Sequence, residues 1–183
     1  MPKRTENPAQ MINIFVDLDE TLIHTSGMDT ITGQRGNEAP SSNIKIELDG
    51  VRYYPTLRPG ANYLLFQLRS IGRVFMLTRA VKDYARAMNK EFGFGFTDDK
   101  IFDRKYVKNW KYKKPDIPKA ERNFLIDDLP IIDNYEKIAF IKTHSGPVQY
   151  IKVPAFWGFN NESLTHEYIK ELIELILEPE FNA

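Results

Sequence analysis

The sequence predicts an open α/β fold, a mainly parallel sheet with helices packed against it. Three features of the chain say so. The runs "MINIFVDL", "RVFMLT" and "NFLIDD" are apolar without alternation, as in central strands buried on both faces. Segments with helical spacing separate strands from one another. Three strands end in polar or acidic residues, Asp17, Thr78 and Asp127, at the edge where open α/β sheets gather their ligands.

Taken in order, residues 1–10 ("MPKRTENPAQ") read as a flexible arm, and residues 11–179 as a single domain followed by a tail at 180–183. Ser26 to Ser42 is rich in Gly, Thr, Asn and Ser and is expected to be a loop. "NIKIELDGVRYYPTL" alternates at Ile44, Ile46 and Leu48 around an Asp49-Gly50 turn, a hairpin signature, so an insert of loop and hairpin spans about 26–55. Pro59 and Gly60 open a helix to about Ser70, with Leu64, Leu65 and Leu68 on one face. A second helix runs from about Lys82 to Phe92 and is closed by Gly93. "KIAFIK" is expected to be a fourth strand. The last helix, about Ser163 to Leu177, carries Leu164, Tyr168, Leu172 and Ile176 and stops before Pro179.

Composition narrows the chemistry. The chain has 183 residues, enough for one domain with a real core, and 25 basic side chains cancel 25 acidic ones. Bulk charge therefore points to neither nucleic acid nor membrane. There is no cysteine, which excludes disulfides, thiolate metal sites and a cysteine nucleophile. No apolar run reaches membrane-spanning length and no secretion signal is evident, so a cytoplasmic or nuclear protein is expected.

The acids then need an explanation. Asp17, Asp19, Asp127 and Asp128 brought to one sheet edge would repel one another and be driven toward protonation unless a cation neutralised them. With only oxygen ligands on offer, a hard divalent ion such as Mg²⁺ is the natural partner, and such a site suits phosphoryl transfer. Residues i and i+2 on extended chain face the same way, so Asp17 and Asp19 can address one phosphorus atom. One carboxylate can attack it while the other protonates the leaving oxygen. The Thr78 hydroxyl can hold a phosphate oxygen, and a lysine would complete the neutralisation. Residues 104–114, "RKYVKNWKYKK", offer five lysines with nothing in the spacing to choose among them. His24, His144 and His166 read as packed, turn and exposed-helix histidines. Phe156, Trp157 and Phe159 read as core or lid packing.

"DLDETLIHT" resembles the first motif of the haloacid dehalogenase superfamily, Asp-x-Asp-x-Thr. Its form is that of the small phosphatases of the RNA polymerase II C-terminal domain and the NLI-interacting-factor-like proteins. "IELDGVRYYPTLRPG" resembles that family's insert hairpin and Arg-Pro segment, and "FMLTRAVKDYA" its second motif and the following helix. "YVKNW" resembles the lysine-bearing third motif, "FLIDDLP" the fourth, and "PVQYIKVPAFWGFNNESLTHEYIKELI" the C-terminal segment. The resemblance implies a Rossmann-like open parallel sheet with a small β-hairpin insert and no large cap domain. It implies Asp17 as phosphate-accepting nucleophile and Asp19 as the acid that later activates water. Thr21 would support the Asp19 loop, and Thr78 and Lys108 would bind the phosphoryl group. Asp17, the Asp19 carbonyl and Asp128 would hold Mg²⁺, with Asp127 bound to it or one shell out.

The chain departs from the family pattern in three places. Arg79-Ala80 stands for Ala-Ser, which puts a cation beside the phosphate site and makes Arg79 a candidate substrate contact. Asn109-Trp110 stands for Asp-Leu, and Asp127-Asp128 for the Asp-Asn of many small members. The expected activity is a Mg²⁺-dependent phosphomonoesterase acting on a phosphorylated protein or peptide. A nucleotide or polynucleotide end is the alternative substrate, and a non-catalytic phosphate-binding scaffold a further one.

Overall fold

The computed structural model describes residues 12–30, 42–111, 114–159 and 162–178. The arm at 1–10, the tail at 180–183 and most of the expected 26–42 loop lie outside the described residues. In chain order the elements begin with β1 (Ile12–Val16), β2 (Ile23–Thr30), β3 (Ile46–Leu48), β4 (Val51–Leu57), α1 (Ala61–Ile71), β5 (Arg73–Leu77) and α2 (Lys82–Glu91). They continue with β6 (Ile101–Phe102), α3 (Arg104–Lys108), β7 (Arg122–Asp127), α4 (Tyr135–His144), β8 (Val148–Lys152) and α5 (His166–Leu177). No helix among the described residues is long and apolar enough to cross a membrane.

All five residues of β1 are buried, which suits the centre of a parallel sheet ordered β6-β5-β1-β7-β8. Alternation across the sheet sorts its side chains into two cores. Ile14, Val16, Met76 and Ile126 pack with Leu64 and Leu68 of α1, Met88 of α2 and Leu172 of α5. Phe15, Phe75, Leu77 and Leu125 pack on the other face with Val107 of α3 and Phe140 and Ile141 of α4. There Phe15 stacks on Phe75 with ring centroids 5.2 Å apart. Each such side chain taken from water contributes about 1.5–3 kcal/mol before entropy is counted. Helices on both faces therefore leave the strand ends as the open edges of the sheet.

β2, β4 and β3 form a separate antiparallel sheet in that order. The predicted hairpin is β3–β4, and Asp49 and Gly50 take φ of 49° and 77° to turn it. Ser26 to Thr30, expected in a loop, instead continues β2 along β4, with a register shift between Ser26 and Asp29. The polar composition misled because this sheet does not need a continuous apolar run.

"KIAFIK" is not a strand. Residues 137–142 lie within α4, whose buried residues Lys137, Phe140 and Ile141 follow helical spacing. The fold requires it, since a strand parallel to β7 can be reached only by a crossover, and α4 is that crossover to β8. The last helix starts at His166, three residues later than its apolar pattern suggests, because Thr165 caps it by accepting from the Tyr168 N–H.

Two residues join the fold to the edge that follows. Gly60 enters α1 at φ 88°, and a Cβ there would lie 2.2 Å from the Leu164 carbonyl oxygen, so only glycine fits. The Arg58 guanidinium, 2% exposed, donates to the carbonyls of Thr21 (3.2 Å), Pro154 (2.8 Å) and Glu162 (2.9 Å).

Candidate active site

β1 stops pairing with β7 when the Asp17 N–H donates to the Ile126 carbonyl at 3.0 Å. The chain then turns sharply. Leu22 and Ile23 N–H groups both donate to the Leu18 carbonyl, and Glu20 adopts φ 55°. The turn holds Asp17 and Asp19 at the mouth of the sheet. Thr78 follows β5, its backbone N–H on the Phe102 carbonyl (2.9 Å) and its Oγ1 accepting from the Ala80 N–H (3.0 Å). The hydroxyl proton of Thr78 is left to donate to a ligand. Asp127 and Asp128 end and follow β7.

These residues meet around a cavity of about 170 Å³ lined by Asp17, Asp19, Thr78, Arg79, Asp128 and Lys137, among others. Lys137 reaches in from α4, 1% exposed, to 2.7 Å from Asp17 Oδ1 and 2.6 Å from Asp127 Oδ2. Burial lowers its basicity, but Asp17 and Asp127 outweigh this and hold the ammonium above its usual pKa. One ammonium does not balance the acids. Burial, with Asp127 and Asp19 adding to it, pushes Asp17 up to about 8 despite Lys137. Burial likewise raises Asp19 and Asp128, with Asp127 the next cause for Asp128.

That excess of negative charge is what a cation would relieve. Asp17, Asp127 and Asp128 each offer an oxygen within 4.8 Å of the others, an all-oxygen set able to hold a metal ion. Asp127 already accepts on both oxygens, from the Leu129 N–H at 3.0 Å and from Lys137. Asp17 uses Oδ1 for its contact with Lys137, and Asp128 uses Oδ1 to accept from Thr21.

Residues 12–176 match the family described as NLI interacting factor-like phosphatase. The chain belongs to this family. Among solved structures, that of Fcp1, an essential RNA polymerase II CTD phosphatase, matches at 20% identity with a TM-score of 0.52. A point variant of the fission yeast RNA polymerase II CTD phosphatase Fcp1, bound to beryllium fluoride, matches at 16% identity with a TM-score of 0.50. Both alignments cover 92% of this chain and 50% of the neighbour, so the chain spans half the length of these proteins and shares their fold. No curated protein sequence matches it.

Measured against the family's motifs, the structure brings Asp17, Asp19, Thr78, Arg79 and Asp128 to one cavity and sets Asp127 directly behind it. Thr21 is buried beside the cavity, and its Oγ1 donates to Asp128 Oδ1 at 3.1 Å. It therefore orients an acid of the fourth motif. Lys108, the third-motif lysine of the resemblance, is exposed at the last residue of α3 and does not line the cavity. This one-turn helix spends its inward position on Val107, 0% exposed, and so turns Lys108 outward. The lysine that does line the cavity is Lys137. Reading α4 as a strand hid it. A lysine at helical spacing with Phe140 and Ile141, nine residues after an acid pair, was the available signal.

Arg79 lines the cavity mouth. It donates to the Asp133 carbonyl and lies 3.9 Å from Glu136. His24 packs edge-on to Trp157 and lies 3.3 Å from Glu20, His144 sits 2.8 Å from the Trp110 carbonyl, and His166 meets Tyr63. None of the three lines the cavity. Phe156 is core, whereas Trp157 and Phe159 are exposed.

Proposed function

We propose that this protein hydrolyses phosphate monoesters with Asp17 as nucleophile, Asp19 as acid and base, and Lys137 as the phosphate-holding cation. The carrying observation is the convergence of Asp17, Asp19, Thr78 and Lys137 on one cavity from two strand ends and a helix. In the first step an oxygen of Asp17 attacks phosphorus, the ester P–O bond breaks, and the leaving oxygen takes a proton from Asp19. Thr78 and Lys137 bind the non-bridging oxygens and meet the charge that builds on them. In the second step Asp19 takes a proton from water, water oxygen attacks phosphorus, and the Asp17–phosphorus bond breaks to release inorganic phosphate.

Asp17, Asp128 and the Asp19 carbonyl would hold Mg²⁺, with Asp127 binding Lys137 behind them. Bound there, the ion supplies charge neutralisation for the acids and the phosphoryl group.

A phosphoserine or phosphothreonine segment is the substrate this reading favours. Between Asp19 and Thr78 the described chain adds only the β2–β4 sheet, α1 and the core strand β5, with no cap large enough to enclose a metabolite. The name of the matching family and the Fcp1 neighbours support the same class. One observation favours a nucleotide or polynucleotide end instead. Arg79 and Arg104 both line a second cavity of about 350 Å³ that also touches Asp19, where a further anionic group can sit. Phosphate release from an aryl phosphate with Mg²⁺, repeated with Asp17→Asn, tests the chemistry. Activity surviving that substitution rules out the covalent route. Competition between phosphopeptides and nucleoside monophosphates decides the substrate.

A further inference from the structure

We propose that Tyr84 is a positioning residue for the acid of the reaction, its hydroxyl selecting which oxygen of Asp19 carries the transferable proton. This rests on the reading of Asp19 as the acid. Tyr84 projects from α2 and is buried, with its hydroxyl 2.8 Å from Asp19 Oδ1 and 2.7 Å from Thr25 Oγ1 on β2. The Tyr53 ring of β4 packs edge-on against it with centroids 5.0 Å apart, so the phenol is held by the small sheet as well as by its own helix.

The direction of this chain of hydroxyls follows from chemistry. An ionised carboxylate can only accept, so the Tyr84 O–H donates to Asp19 Oδ1, and the Tyr84 oxygen is then free to accept from the Thr25 hydroxyl. A proton on Oδ1 would face the Tyr84 O–H and force both hydroxyls to reverse. The relay therefore keeps the proton on Oδ2. As the ester P–O bond breaks, the Oδ2–H bond breaks and the leaving oxygen gains that proton. The charge left on Asp19 is met at once by the Tyr84 hydrogen bond, with no water needing to enter. The β2–β4 sheet thereby does more than wall the cleft, since two of its residues, Thr25 and Tyr53, set the acid.

The test separates leaving-group protonation from general damage. The ratio kcat/KM, which covers events only through the first irreversible step, is measured on p-nitrophenyl phosphate and on a phosphoserine peptide. A nitrophenolate leaves without help, whereas a serine alkoxide needs the proton. Tyr84→Phe is expected to lower kcat/KM for the peptide by about tenfold and for the aryl ester by less than about twofold, a part of the roughly 10²–10⁴ that a placed acid supplies. Thr25→Val, which removes the donor to Tyr84, is expected to give the same selectivity at about threefold. Equal losses on both esters, or none on either, overturn the proposal. Should Tyr84→Phe not fold, shown by its thermal unfolding, Thr25→Val decides alone. Asp19→Asn is the reference. If it penalises the peptide selectively and the other two variants do not, the Tyr84 role falls and the acid stands. If it penalises both esters alike, the acid reading itself falls.

Discussion

At the amino end of the parallel sheet, Asn13 on β1 donates to the Pro118 carbonyl and to Ser145 Oγ, and accepts from Arg73 on β5. Asn123 on β7 accepts from Ser145 and donates to the Pro147 carbonyl at 3.0 Å. At the carboxyl end the same three strands lead into Asp17, Thr78 and Asp127. Both clusters are buried, but they differ in closure. Each Asn at the amino end has its carbonyl and amide groups matched to a partner nearby. The acids at the carboxyl end share one ammonium, and burial raises the pKa of Asp17, Asp19 and Asp128. A polar cluster that satisfies itself holds the fold together. One left with surplus charge is built to receive something.

Exchanging the chemistry of the two ends should break this contrast in a graded way. Asp17→Asn should cost at least about a thousandfold in phosphate release while leaving the thermal midpoint equal to or above that of the unaltered protein, because it removes a crowded carboxylate. Lys137→Met should lower the rate by about a hundred- to a thousandfold and also destabilise the fold by about 3–5 kcal/mol, since it strands two buried acids. Lys108→Ala should keep the rate within about twofold. The opposite outcome for that pair of lysines, read by steady-state kinetics, would return the role to Lys108. At the amino end, Asn13→Ala should lower stability by about 1–3 kcal/mol in denaturant titration, with activity per folded molecule unchanged.

The smallest effect is on pH. Asp17 at about 8 and Glu20 at about 7, the latter raised by burial and then by Asp19 and Asp128, both lie above their unfolded values. The folded state thus holds more protons between about pH 4 and 8, and without divalent ion its stability falls as pH rises through that window. A cation that needs Asp17 ionised binds better at the upper end. The rise in thermal midpoint caused by Mg²⁺ should therefore grow between about pH 6 and 8. A constant rise would mean that the ion binds elsewhere.

How legible each feature was in the sequence follows from the physics that makes it. β1, β5 and β7 are buried on both faces, so their apolar runs announce both the strands and the edge where Asp17, Thr78 and Asp127 meet. β2 is not legible in the sequence because its polar residues pair by backbone hydrogen bonds, which leave no apolar trace. α4 has the pattern of a strand because Lys137 is buried for its charge. A lysine facing inward makes a helical stripe look like a strand flanked by cations, so the cavity's ammonium does not show in the pattern. Thr25 and Tyr84 touch only in three dimensions, 59 positions apart, and no local pattern could pair them.

The Arg58 guanidinium has a bearing on when the enzyme comes into being. It grips carbonyls 37, 96 and 104 residues downstream or upstream of itself, one of them on the turn that carries Asp19. A ribosome-bound chain that has emerged only through β7 presents Asp17, Asp19, Thr78 and Asp127, yet lacks Lys137 and the two carbonyls, of Pro154 and Glu162, that hold Arg58 against that turn. The turn that carries Asp19 should therefore be fully clasped only late, with the emergence of Glu162, the last of the three carbonyls.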